Sequence, residues 1–132
     1  MRPRGTTQED YLLRIIRQAA ELLRQLRRRL LGGEATAESI RRDAGAAIDL
    51  LFGSQAPVLG LLDAPSAVRL AGHPGLVELW AALLDVEADA AEASGDVAFA
   101  ARRRARTVDL RAAARELWGP TTGEDAAEGP AE

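Results

Sequence analysis

Few residues of this chain could do chemistry. Its single histidine, His73, lies between Gly72 and Pro74, and there is no cysteine. A metal centre needs several imidazole, thiolate or carboxylate ligands that converge, and an activated nucleophile needs a base beside it. One histidine ahead of a proline supplies neither and reads as a helix cap or a surface residue. Asp85, Glu87, Asp89 and Glu92 form the densest acidic group. Helical residues two apart point to different faces, so these carboxylates read as a solvated acidic face and not as an acid/base pair. Neither a GxxxxGK[ST] phosphate loop nor a GxSxG elbow is present. The expectation is a protein with no catalytic, cofactor or metal site, and not an enzyme.

The sharpest local signal is the run Arg102, Arg103, Arg104 and Arg106. Residues 102 and 106 share a stripe of a helix whereas 103 is nearly opposite 105, so the run is expected to wrap around its helix without making one flat basic face. Pairing with acids of the preceding helix accounts for part of it, and Arg102, Arg103 and Arg106 are the candidate anion-binding residues. All 17 basic residues are arginine, which GC-rich coding explains better than a need for the bidentate phosphate contacts that arginine can make. The net charge of -3 argues against nucleic acid as the main partner, because nucleic-acid-binding domains are usually basic.

The elements that must carry these residues are helices. Alanine, leucine and arginine dominate while β-branched and aromatic residues are sparse, a composition that favours helix over strand. The first helix is expected from near Thr6 or Thr7, where Thr6 and Glu9 have the form of a capping box, to Leu31. Leu12, Ile16, Leu23, Leu26 and Leu30 recur along it in a heptad-like seam. A second helix is expected from Glu34 or Thr36 to Phe52, with Ile40, Ala44, Ala47, Ile48 and Leu51 inward. Two short pieces follow, Pro57 to Leu62 and Pro65 to Ala71, each opened by a proline that suits the first helical turn.

The next helix runs from Pro74 to Ala93, with Leu76, Trp80, Leu83, Leu84, Ala88 and Ala91 inward. It breaks at Ser94-Gly95, and Asp96 is a good cap for a last long helix whose apolar face is expected to be Phe99, Ala101, Ala105, Val108 and Ala112. That helix ends at Leu117 and Trp118, before Gly119-Pro120. The fold class is therefore all-α, five to six helices in antiparallel hairpins. One domain over residues 8–118 is expected, between a flexible segment 1–7 and a disordered acidic tail 119–132.

Net charge alternates by segment: +5 over residues 1–33, -7 over 34–95, +3 over 96–118 and -4 over 119–132. Blocks of this kind suit helices that pair with neighbours of opposite sign. No secretory signal is visible, and the longest apolar windows are interrupted by Arg, Asp or Glu before reaching the roughly 20 residues of a membrane span. A cytoplasmic protein without a membrane partner is expected.

Residues 76–117, joined at Gly95-Asp96, resemble a tetratricopeptide helix pair. Ala88 and Ala100 stand where that family needs small residues. Arg104 and Thr107 stand where an aromatic and an alanine are usual, and Glu87 where leucine is usual. Residues 8–31 and 33–52 resemble a second such pair. The opening Asp10-Tyr11-Leu12-Leu13-Arg14-Ile15-Ile16, the middle Ala47-Ile48-Asp49-Leu50-Leu51-Phe52-Gly53 and the late helix pair together resemble a group of small bacterial helical proteins classed as domain of unknown function 6483. The resemblance implies fold and assigns no activity.

Stacked helix pairs leave grooves that bind a partner's helix or extended peptide. The expected function is accordingly a protein–protein interaction module whose partner is not identified by the residues. The leucine seam of the first helix and Trp118 are the candidate partner-binding or homodimer surface. The alternative is nucleic-acid or anionic-ligand binding through the Arg-rich first and last long helices.

Overall fold

A computed structural model describes residues 4–33 and 35–120, with side chains from Gln8 onward. Among the described residues there are six α-helices and no strand: α1 (Arg4–Gly32), α2 (Ala37–Phe52), α3 (Ala56–Leu61), α4 (Ala64–Ala71), α5 (Pro74–Ala93) and α6 (Val97–Trp118), with a short 3-10 turn, Gly53–Gln55, between α2 and α3. The all-α expectation is met. The helical start at Arg4 corrects the expected cap, since Thr6 falls inside α1. Of the expected terminal segments, residues 1–3 and 121–132 lie outside the described residues.

The breaks follow local chemistry. The Thr36 hydroxyl accepts from the Ser39 N–H at 3.1 Å to cap α2, and Asp63 does the same for α4 through Ser66. Nδ1 of His73 accepts from the Gly75 N–H at 2.8 Å, so the lone histidine is a cap. Asp96 accepts from the Phe99 N–H at 3.3 Å at the start of α6. Gly95 has φ +92, a conformation open to glycine and strained for other residues, which lets the chain reverse between α5 and α6.

Helix α5 is the central rod. It packs against α1, α2, α4 and α6 and is buried on nearly every side, including Leu76, Val77, Trp80, Leu83, Leu84 and Val86. Leu23 and Leu26 from α1, Ile40, Ala44, Ala47 and Leu51 from α2, Leu59 from α3 and Leu110 from α6 complete one core. The edge of the Phe52 ring meets Trp80 with centroids 5.2 Å apart. Ala88, Ala91 and Ala100 form a second, smaller cluster, where small side chains let α5 and α6 approach closely beside their turn.

Ion pairs show that α5 and α6 are antiparallel. Early Glu78 meets late Arg111 at 3.0 Å, while late Glu92 and Asp89 meet early Arg104 at 2.9 and 2.7 Å. The expected pairing of α6 arginines with the preceding helix is therefore present, and it uses the side of α5 that was read as a solvated acidic face.

The face of α6 differs from expectation. Ala101, Ala105, Val108 and Ala112 are exposed, and Ala100, Thr107 and Leu110 are buried. Alanines surround this helix almost evenly, so apolar periodicity hardly distinguishes its sides; the charge pairing with α5 and the caps at its ends set its rotation. Along the chain, the stretch Ala37–Leu61 has the length and apolar composition of a membrane span, which qualifies the expectation from interrupted windows. That stretch is folded as α2, a turn with Gly53 at φ +60, and α3.

Candidate functional site

Helices α2, α3 and α6 rise around one side of α5 and leave a cleft of about 490 Å³. Its floor is Trp80, Leu84 and Glu87 from α5; one wall is Gly45, Ile48 and Asp49 of α2 with Pro57 and Gly60 of α3, and the other is Arg102, Arg103 and Arg106 of α6. Beyond Glu87 and Arg103 a second opening, about 620 Å³, is lined also by Glu38, Arg41, Arg42 and Phe99. Glu87 and Arg103 line both concavities.

The candidate anion-binding residues Arg102, Arg103 and Arg106 come together on this cleft. At about 100° per residue they fall within one arc of the α6 surface, and Arg104, on another side, is taken by Asp89 and Glu92. The run as a whole thus wraps around α6, as expected, while these three share one side of it. They nevertheless differ in role. Arg106 donates to the Leu59 carbonyl at 2.9 Å and lies 5.5 Å from the Trp80 ring, so it satisfies a carbonyl at the end of α3 and braces the floor. Burial pushes its guanidinium below its ordinary pKa, Asp109 opposing, and the group stays protonated. Arg102 is exposed and makes no ion pair among the described residues.

Glu87 is the residue that sequence reasoning placed on the wrong side. Its side chain is only 10% exposed, with Arg103 Nε 3.0 Å from Oε1. The N–H is not aimed at that oxygen, and neither atom makes a hydrogen bond; the contact is ionic. Burial pushes the Glu87 carboxyl above the usual carboxylate range, while Arg103 and Arg41 pull it the other way. A signal for this burial exists in the sequence: Glu87 follows Leu83 by four and Leu84 by three, on the stripe of the core.

Phe99 and Arg41 were also missed as site residues. The Arg41 guanidinium sits 4.0 Å from the Phe99 ring centroid and that of Arg103 sits 4.8 Å from it. One phenyl ring therefore carries two cations, an arrangement that cation–π attraction favours. Arg41 also approaches Asp96 at 3.7 Å. This corner joins residues 41, 87, 99 and 103, and no spacing in the sequence reports the α2–α6 approach that makes it.

The other candidate surface is placed differently. Leu23 and Leu26 are buried, and Leu12, Ile16, Leu30 and Trp118 pack partly buried against the same core. The seam thus faces the chain's own interior and is not presented to a partner in this fold. What α1 offers to solvent is its opposite side, including Arg14, Arg17, Arg24, Arg27 and Arg28. Among the described residues no three His, Cys, Asp or Glu side chains converge as a metal site.

No protein-family model, curated protein or solved structure matches this chain.

Proposed function

We propose that this chain is a non-enzymatic, cytoplasmic protein–protein interaction module that holds a segment of its partner in the cleft between α2–α3 and α6. The observation that carries this reading is the pair Gly45 and Gly60. Both are helical residues on the cleft wall, and a Cβ built at either meets nothing within 4 Å. Glycine inside a helix costs about 0.5–1 kcal/mol relative to alanine, and neither close packing nor a positive φ accounts for it at these positions. Room on the wall does. Apolar Trp80 and Leu84 on the floor, with charged side chains beside them and on the walls, supply the mix of apolar anchors and flanking charges that peptide-binding grooves use.

The hairpins α1–α2 and α5–α6 fit this reading as two degenerate tetratricopeptide-type units around the short α3 and α4. The test is comparative. Tagged wild-type chain and the Gly45→Leu variant are recovered from the native cell, and retained proteins are quantified. A partner retained by the wild type and lost from a variant of unchanged circular dichroism supports the reading; an identical retained set contradicts it.

A further inference from the structure

We infer that the Arg41–Phe99–Arg103 corner recognises a carboxylate, the side chain of an aspartate or glutamate on the partner segment. This inference rests on the interaction-module reading and adds the chemistry of the contact. Arg103 lies between two groups, with its Nε in ionic contact with Glu87 at 3.0 Å and its guanidinium 4.8 Å from the Phe99 ring centroid, and its terminal nitrogens have no hydrogen-bond partner among the described residues. A guanidinium that lies against a ring with its terminal donors unpartnered presents them as a fork, the geometry that pairs bidentately with a carboxylate. Arg41 shares the same ring.

Charge balance selects the class of ligand. Arg42 and Arg102 flank the corner, exposed and without an ion pair among the described residues, so two guanidinium groups beside Arg103 are open to an incoming carboxylate. The surrounding acids Glu38, Asp49 and Asp96, with a net chain charge of -3, oppose a long polyanion. One or two carboxylates on a peptide can enter where a nucleic-acid backbone is repelled. Glu87 contributes as a positioning residue: it acts on the ligand through Arg103.

The probe is a synthetic Leu-Ala-Asp-Glu-Leu-Ala peptide and its Asn-Gln counterpart, titrated into the full chain at low salt while arginine Nε–H and tryptophan indole resonances are followed by NMR. The acidic peptide is expected to shift the Arg41 and Arg103 signals and to bind at least tenfold more tightly than the amide peptide. Arg103→Lys, which keeps a cation beside Glu87 but loses the fork, should weaken it about tenfold. Arg41→Gln, away from the Glu87 contact, should do the same with the fold intact. Equal binding of both peptides overturns carboxylate recognition while leaving the cleft as a partner site. Absence of shifts at this corner with either peptide overturns the inference, as does tighter binding of a single-stranded oligonucleotide; partner loss in Gly45→Leu, measured separately, decides the underlying reading.

Discussion

Replacing Gly45 by alanine should stabilise the fold, and the size of the effect follows from its surroundings. The residue lies well inside α2, eight positions after Ala37 and seven before Phe52, and nothing within 4 Å opposes a Cβ. The backbone there is ordinary helix, so the substitution removes unfolded-state freedom without introducing strain. The expected gain is about 0.5–1 kcal/mol, equivalent to a rise in Tm of about 2–5 °C for a chain of this size. Leucine, close to alanine in helix propensity, should keep most of that gain while filling the cleft. Thermal unfolding followed by circular dichroism at 222 nm measures both. A Tm that is unchanged or lower in Gly45→Ala would mean that this wall is closed or closely packed, and the reasoning from glycine to open cleft would fail.

Other consequences are as direct. Glu87→Leu should raise stability at pH 7 by about 1–3 kcal/mol, because it removes the desolvation of a buried carboxylate and leaves Arg103, whose side chain is 40% exposed, able to reach water; urea unfolding checks it. Since burial raises the folded-state pKa of Glu87 above its unfolded value near 4.5, the wild type binds a proton more tightly when folded. This residue's contribution is therefore most favourable below pH 4.5 and declines as pH rises through the higher folded value, a slope that Glu87→Leu should abolish in a pH series. Asp63 behaves oppositely: the hydrogen bonds from Ser66 hold its carboxyl below the usual value of 3.8, so its cap contributes above that pH and is lost as pH falls through the folded value, a dependence that Asp63→Ala should remove. Gly95→Val should destabilise by about 1 kcal/mol or more through its positive φ, read as a lowered midpoint in the same unfolding assay.

Helix existence and most boundaries were legible because breaks are local chemistry. Thr36, Asp63, His73 and Asp96 cap helices through atoms two or three residues away, and Gly53 and Gly95 end them with positive φ. The inward faces of α2 and α5 were legible from spacing, as Ile40, Ala44, Leu83 and Leu84 show. Rotation of α6 was not, since alanine on several sides gives no contrast and the deciding ion pairs to α5 are non-local. The site suffered most. Arg102, Arg103 and Arg106 could be named from sequence, but Glu87 beneath them and Arg41 across from them depend on how α2 and α6 approach over α5. The seam of α1 was correctly read as apolar; only packing shows that it is spent on α5 and α2.

Cross-linking from defined positions bears most directly on the cleft. The chain has no cysteine, so Asp49→Cys at the cleft rim and Val108→Cys, 66% exposed on another side of α6, each carry one benzophenone label. In extracts of the native cell, a partner should be captured from position 49 and not from 108, and excess unlabelled wild type should compete where Gly45→Leu does not. Equal capture from both positions, or equal competition by Gly45→Leu, would contradict a partner bound in the cleft.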